Sequence, residues 1–201
     1  GEFVLAELTQ TFDYGDLTYF FPLMAQVEQR LGRRPRFGTG DAAFDAFYVY
    51  DYFHADAHDG FAAVPLRNKQ HQRTFSKEGL PLCAAGLPMP LTGTFTNRTS
   101  LVQHQRGRYR CPLLHPQPNG QSCPINHVKW PDGGCKVVMP TTEGARVRYQ
   151  LNRDGSCFKQ IYNQRTAVER IFSQAVALGI ERPKLRNRYA IANLNTLTYV
   201  L

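Results

Sequence analysis

A long irregular stretch separates two regions of regular hydrophobic pattern in this 201-residue chain. Residues 68–159 are rich in Pro, Gly, Gln and Asn and show no sustained helical period. The same stretch holds the cysteines and the only tryptophan. We therefore predict a core built from residues 1–67 and 160–201, divided by an insertion of loops and short strands at 68–159.

The segments on either side of the insertion alternate between strand-like and helix-like patterns. This order predicts an α/β fold with parallel strand pairing. The predicted strands are 2–12, 36–40 and 60–66, and the predicted helices are 17–31 (ended by Gly32), 42–54, 160–178 and 189–201.

The charge of the chain is concentrated in its second half. The net charge is +8, but residues 1–100 contain nine Lys and Arg against eleven Asp and Glu. Residues 101–201 contain fifteen against five, and arginine outnumbers lysine by 18 to 6 over the whole chain. Because arginine makes planar two-point contacts with phosphate, this half favours a polyanion such as nucleic acid as partner, although an ordinary basic protein has the same charge pattern.

The sequence contains no apolar run near the roughly 20 residues of a membrane span. It begins Gly1-Glu2-Phe3, without a signal peptide or an initiator Met, which predicts a fragment with no membrane segment. It also has no Gly-x-Ser-x-Gly elbow, which argues against a serine nucleophile.

Acidic residues occur at two positions that favour chemistry. Asp41 follows a predicted strand, at the edge of an α/β sheet where ligands bind, although a helix N-cap explains an Asp there equally well. Tyr162, Arg165 and Glu169 have the spacing i, i+3, i+7, which predicts one helical face. An exposed Arg165–Glu169 ion pair is the simpler interpretation of that spacing.

Two segments resemble a known family. The stretch "GDAAFDAFYVYDYFHADAHDGFAAVPLRNK" resembles the region around the second catalytic Asp of DDE transposases from bacterial insertion sequences. The stretch "IYNQRTAVERIF" resembles the Tyr-x2-Arg-x3-Glu helix that carries the third acidic residue of that family. The resemblance implies a ribonuclease-H-like core, here lacking its first strands and interrupted by the insertion.

The resemblance also implies site residues. Asp41 and Glu169 match catalytic ligands of Mg²⁺ or Mn²⁺, and Tyr162 and Arg165 match residues that lie near the DNA backbone. Asp45 is an alternative ligand, but the register of the motif favours Asp41. The lysine that the family often has seven residues after its Glu is replaced by Val176.

The function implied by the resemblance is DNA transposition, by metal-dependent cleavage and strand transfer at transposon ends. Such sites use two divalent ions roughly 3.5–4 Å apart, bound by clustered carboxylates. The first catalytic Asp of the family has no counterpart here, so we expect a truncated copy that is weak or inactive alone. The implied partners are double-stranded DNA and, in a complete protein, a second copy, in the bacterial cytoplasm at the nucleoid. The alternatives are a non-catalytic DNA-binding remnant, stabilised or not by zinc, and a nuclease that cleaves without joining.

Several basic residues alternate along the chain as they would on one face of a strand. Such cations could follow a DNA backbone, although a solvated surface explains any single one of them. The alternating sets are Arg106, Arg108 and Arg110; Arg146 and Arg148; and Arg182, Lys184, Arg186 and Arg188.

Four cysteines in the insertion leave two interpretations open. Cys83, Cys111, Cys123 and Cys135 are separated by 27, 11 and 11 residues, without a Cys-x2-Cys knuckle. They fit either a structural zinc site or plain buried thiols. Cys157 is interpreted as a lone thiol.

Overall fold

The computed structural model describes residues 3–9, 14–54, 60–68, 72–181 and 184–200, which form a mixed α/β protein with two small sheets. No helix in those ranges is both long and apolar enough to cross a bilayer. The helices are α1 (Phe20–Leu31), α2 (Phe47–His54), α3 (Glu143–Gln150), α4 (Ser156–Asn163), α5 (Arg165–Ala177) and α6 (Arg188–Val200), and the strands are β1 (Phe37–Thr39), β2 (Phe61–Ala63), β3 (Leu91–Asn97), β4 (His104–Arg110) and β5 (Lys136–Pro140).

The chain divides into two compact units, each built from segments that are distant in sequence. The first unit consists of Gly1–Phe44, Ala57–Pro65 and Asn152–Leu201. The second consists of Asp45–Asp56 and Leu66–Leu151. Most of the predicted insertion therefore folds together with the segment that contains α2.

The first unit contains a parallel pair of strands, as the sequence pattern predicts. β1 pairs with β2 in the register Phe37↔Phe61. The two phenylalanine rings meet edge to face with centroids 5.2 Å apart, and the Phe158 ring of α4 stacks on Phe61 at 6.3 Å. Burial of these rings holds α4 against the strands, and an edge-to-face aromatic pair adds about 0.5–1.5 kcal/mol beyond its buried area.

Helix α1 ends at Leu31 before Gly32, as the sequence predicts, but it begins at Phe20, three residues later than predicted. A 3-10 turn, Asp16–Tyr19, leads into it, and Gly32 ends it in the left-handed conformation with φ 67°. Pro22 lies in the first turn, where its missing N–H and fixed φ are tolerated.

The strand predicted at 2–12 is wrong over residues 3–9, which pair with no strand; residues 2 and 10–12 lie outside the described ranges. Side-chain bonds hold this segment to helices instead. Arg30 of α1 donates to the carbonyl of Leu5, and the Asn195 amide of α6 donates to the Thr9 hydroxyl at 2.8 Å. An alternating pattern predicts an extended chain but does not supply a ladder partner.

The helix predicted at 160–178 is two helices, α4 and α5, which meet at Gln164. The hydroxyl of Thr166 donates to the carbonyl of Asn163 at 2.9 Å, while the amide of Ala167 donates to the carbonyl of Gln164 at 3.0 Å. Such back-bonding by a Thr hydroxyl competes with the i→i−4 ladder and bends helices, which explains the break.

The second unit is built on an antiparallel sheet of order β3-β4-β5, so the short strands expected in the insertion are present. One face of this sheet is apolar: Tyr109 of β4 and Met139 of β5 are buried with Met89 and with Ala145 of α3. Because side chains alternate along a strand, the residues on either side of Tyr109 lie on the opposite face.

The same unit contains a helix that the sequence pattern did not predict, α3, packed closely on α2. The amide of Gly144 donates to the carboxylate of Asp51 at 2.5 Å, and a Cβ at Gly144 would lie 2.4 Å from the Phe47 carbonyl oxygen. Only glycine permits that approach, since Cβ atoms essentially never come so close.

A buried ion pair also joins the C-terminal part of α3 to Asp45, which precedes α2. Arg148 of α3 makes two bonds to the fully buried carboxylate of Asp45, Nε–Oδ1 at 2.7 Å and Nη2–Oδ2 at 2.5 Å. The Tyr50 hydroxyl and the Arg67 amide also donate to this carboxylate. Arg146 and Arg148 are therefore not alternating strand residues that follow DNA: they lie on a helix, and Arg148 is an internal partner of Asp45.

Candidate nucleic-acid interface and acidic pair

Asp41 lies just beyond the carboxyl end of β1, where the sequence predicts it. Its side chain is exposed, and its Oδ1 accepts a hydrogen bond from the amide of Ala43 at 2.8 Å. Its carbonyl accepts from the amide of Phe44 at 3.1 Å, which starts the 3-10 turn Ala42–Phe44. The local role of Asp41 is thus the N-terminal cap of this turn, which was the alternative interpretation of this residue.

Glu169 is positioned by a chain of contacts that begins at the parallel strands. The Phe158 ring, stacked on Phe61, stacks in turn on the Tyr162 ring with centroids 5.8 Å apart. The Arg165 guanidinium lies 5.8 Å from the centre of the Tyr162 ring and 2.8 Å from the Glu169 carboxylate. The three residues of the Tyr-x2-Arg-x3-Glu motif therefore act as one group, although the break at Gln164 places them on two helices.

The Arg165–Glu169 bond is an exposed i, i+4 ion pair, the simpler of the two interpretations of this spacing. The side chains are 36% and 56% exposed, so the pair contributes only a few tenths of a kcal/mol to stability. Its effect is on geometry, because it holds the Glu169 carboxylate beside Arg165 and Tyr162.

The described residues do not by themselves make a complete magnesium site. Asp41 and Glu169 offer two carboxylates, both with local partners, whereas a two-ion site needs a third acidic group to bridge the metals. Across the described ranges, no group of three or more His, Cys, Asp or Glu side chains is arranged to hold a metal ion. Asp45, the alternative to Asp41 as a metal ligand, is buried and bonded to Arg148.

The main candidate binding residues lie on one basic face of the antiparallel sheet. Arg106, Arg108 and Arg110 alternate on β4 and so share the face opposite Tyr109. The register pairs Arg108 with Val138 and Arg110 with Lys136, which adds a lysine to the same face. The strand spacing predicted for these three arginines is confirmed.

Three cations of this face, Arg108, Arg110 and Lys136, line an open cavity of about 500 Å³. Among the described residues, its lining contains no acidic side chain. Arg110 and Lys136 are direct cross-strand neighbours, an arrangement of like charges that destabilises a sheet unless an anion lies between them. The lining residues are Thr92, Gly93, Arg108, Arg110, His115, Gly133 and Lys136.

An aromatic ring accompanies the arginines. The Arg108 guanidinium lies 4.7 Å from the centre of the Phe95 ring of β3, and Arg108 itself is exposed. Stacking on a ring holds the guanidinium in a fixed plane while its N–H donors stay available. Neither this ring nor Lys136 could be identified from the sequence, because both reach the face only through cross-strand register.

The basic linker before α6 differs from its predicted form. Arg182 lies outside the described residues. Lys184 and Arg186 are exposed in irregular chain and Arg188 is the first residue of α6, so these three do not share a strand face. Their proposed contact with DNA rests on charge and exposure alone.

Comparisons with protein-family models, curated proteins and solved structures find no match for this chain. Its function is therefore inferred from its own residues.

Proposed function

We propose that this chain is part of a DDE transposase with a ribonuclease-H-like core, which binds double-stranded DNA on the basic face of β4. In this proposal Asp41 and Glu169 contribute two carboxylate ligands for Mg²⁺ or Mn²⁺, and the third comes from outside the described residues. Tyr162 and Arg165 position Glu169 and the DNA strand.

The observation that carries the proposal is the contact chain Phe61–Phe158–Tyr162–Arg165–Glu169. A surface ion pair without a function does not have to be joined to the core of the protein. Here the ion pair is joined through two stacked rings to β2, the neighbour of the strand that Asp41 follows. Asp41 therefore follows one strand of the parallel pair, and the helix before that of Glu169 packs on the other strand, which supports the proposal of a shared site.

The DNA part of the proposal follows from the basic face. Three cations and a histidine line one cavity, which suits the negative charge of a phosphate backbone, and phosphate contacts supply affinity without sequence preference. Arg108 is the best placed of them, because it is exposed and its plane is set by Phe95.

A second candidate function, DNA binding without catalysis, is favoured by one observation. Asp41 caps a turn and Glu169 pairs with Arg165, so each acid already has a structural role that needs no metal.

The DNA interface is tested by fluorescence anisotropy of a labelled duplex titrated with the 201-residue chain at several salt concentrations. We expect affinity to fall steeply with salt, because bound cations release counterions from DNA. Arg108→Gln should weaken binding equally for unrelated sequences and reduce the slope of log K against log salt by about 1.

The matched control is Lys77→Gln, an exposed cation in a turn of the same unit, outside the lining of the cavity. It should leave affinity and slope close to those of the parent chain. An unchanged slope for Arg108→Gln, or equal losses for both variants, would show that the basic face is not the interface.

A further inference from the structure

The two edge strands of the antiparallel sheet differ in how well they resist pairing with another strand. β5 begins at Lys136 and ends at Pro140, and a lysine or a proline on an edge strand discourages the addition of a further strand. β3 has the sequence Leu-Thr-Gly-Thr-Phe-Thr-Asn, without a charged residue or a proline, and its residues 91–94 are exposed. Among the described residues, β3 pairs with no strand except β4, so its outer edge is accessible.

The hydrogen bonds of β4 show which backbone groups of β3 point to that outer edge. The carbonyl of Gln105 accepts from the amide of Thr141, just after β5, at 3.1 Å. The amide of Arg110 donates to the carbonyl of Pro90, just before β3, at 3.2 Å. Because the backbone groups of successive residues alternate between the two sides of a strand, the odd-numbered residues of β4 bond to β5 and the even-numbered residues bond to β3.

The register between β3 and β4 then assigns the residues of β3 to one side or the other. Phe95 pairs with an even-numbered residue, Arg106, and therefore directs its amide and carbonyl toward β4. Its neighbours Thr94 and Thr96 direct their amides and carbonyls toward the outer edge. These are the groups that a further strand would bond.

The regular part of β3 is centred on Phe95. A register shift at the start of the strand interrupts the ladder, so regular pairing with β4 covers Gly93–Asn97. When two such five-residue segments pair antiparallel over their full length, the central residue lies opposite its own copy. In that register Thr94 bonds to Thr96 of the second copy, and the two Phe95 rings meet at a non-bonded position, where side chains are closest.

Charge and preformed structure favour a second copy of this chain as the partner of β3. The chain has a net charge of +8, which opposes contact between copies, but β3 itself carries no charge. Both β3 strands are already extended before they meet, so their pairing orders no flexible segment. A disordered peptide would lose backbone entropy on binding to the same edge.

We propose that β3 pairs antiparallel with β3 of a second copy, forming one six-stranded sheet centred on the two Phe95 residues. Residues directly opposite each other lie on the same face of a sheet, so the basic faces of both copies lie on one side. The two Arg106 residues are then three strand spacings, or about 14 Å, apart. Salt screens their repulsion at that distance, and a duplex bound across both faces would offset it. That last effect rests on the proposed DNA binding, whereas the strand pairing does not.

The test is sedimentation velocity of the 201-residue chain without DNA, over a range of protein concentrations. We expect the mass to rise from 22.8 kDa toward twice that value. Thr94→Pro should remain a monomer, because it removes an amide from the outer edge that the pairing with β4 does not use. Thr94→Val is the matched control: it keeps the amide and a β-branched side chain, and it should associate as the parent chain does.

A cross-linking measurement tests the register and does not depend on whether the proline variant folds. In a Cys157→Ser background, which removes the exposed thiol, Phe95→Cys should give a disulfide-linked dimer on oxidation with copper phenanthroline. Gly93→Cys is the control, because a Cβ there meets no atom within 4 Å. In the proposed register its two copies are four residues, or about 13 Å, apart along the strand, so it should not cross-link.

Three outcomes would overturn the proposal: a parent chain that stays monomeric at every concentration, a Thr94→Pro variant that associates as the parent does, or cross-linking of Gly93→Cys in preference to Phe95→Cys. Association through β3 in a chain that does not bind duplex DNA would support this inference and contradict the proposed function.

Discussion

Arg108 and Arg148 both belong to alternating sets of arginines, yet their surroundings are opposite. Arg108 is exposed over a phenylalanine ring, whereas Arg148 is bonded twice to a fully buried carboxylate. Burial lowers the pKa of the Arg148 guanidinium, but the hydrogen bonds and charge of Asp45 outweigh this and raise that pKa above its usual value. Residue type and spacing alone do not separate a DNA ligand from an internal partner.

Replacing Arg148 with alanine should destabilise the second unit strongly. Arg148→Ala leaves the Asp45 carboxylate buried without its charge partner, and breaking a buried pair in this way costs about 3–5 kcal/mol. Urea unfolding followed by Trp130 fluorescence measures the loss.

Arg146→Ala is the matched control on the same helix. Arg146 pairs with exposed Glu143 at 3.1 Å, so its removal should change the free energy of unfolding by no more than about 1 kcal/mol. Equal effects of the two substitutions would mean that the Asp45–Arg148 pair does not hold α3 in place.

At the scale of elements, the helices and strands that depend on neighbouring residues could be predicted from the sequence. Those that depend on residues far away in the sequence could not. Helix α1 has Gly32 to end it, and β2 lies in an apolar run that begins after Gly60, so the local pattern was sufficient to locate them. Helix α3 was missed because its buried positions, Gly144 and Ala145, are small, and its main anchor is Asp45. The pattern of residues within α3 cannot indicate that Arg148 bonds to a residue 103 positions away in the sequence.

The candidate site was predictable to the same extent. Asp41, Glu169 and the three arginines of β4 were located from sequence, because each depends on position within one element. Lys136 and Phe95 were missed, because the register between strands brings them to the face.

A substitution that reduces the positive charge of the basic face should stabilise the fold and weaken DNA binding. Lys136→Glu replaces a like-charge cross-strand neighbour of Arg110 with an opposite charge, so the free energy of unfolding should rise by about 0.2–1 kcal/mol. The same change should weaken DNA binding, since it places an anion beside the phosphate backbone. Urea unfolding and anisotropy titrations measure the two effects.

Lys77→Glu introduces the same charge change elsewhere in the unit and should alter neither quantity by a comparable amount. A Lys136→Glu variant that is less stable and binds DNA unchanged would contradict the assignment of this face.

At the scale of the whole molecule, the proposed catalysis requires a third carboxylate besides those of Asp41 and Glu169. In a form of the protein that includes this third carboxylate, Asp41→Ala or Glu169→Ala should abolish Mg²⁺-dependent cleavage of transposon-end DNA while leaving DNA affinity unchanged. Removal of one carboxylate takes a ligand from a two-ion site without touching the basic face. Gel analysis of nicked and joined products measures cleavage, and anisotropy measures binding.

Asp16→Ala serves as the control, because Asp16 is an exposed acid of the same unit that the motifs do not include. Cleavage that survives either motif substitution would contradict the acid assignment, and DNA binding with no cleavage in the unsubstituted protein would favour the non-catalytic alternative.

The stacking of Phe158 on Phe61 has a consequence for how the protein is made. At ribosomal rates of 5–20 residues per second, Phe61 leaves the exit tunnel about 5–20 s before its partner, because roughly 100 residues separate them. Every segment of the second unit is synthesised before α4, so that unit is able to fold while the nascent first unit still lacks part of its core. During this interval Phe37 and Phe61 have no α4 to cover them, which makes translation the period of greatest exposure to aggregation and to chaperones.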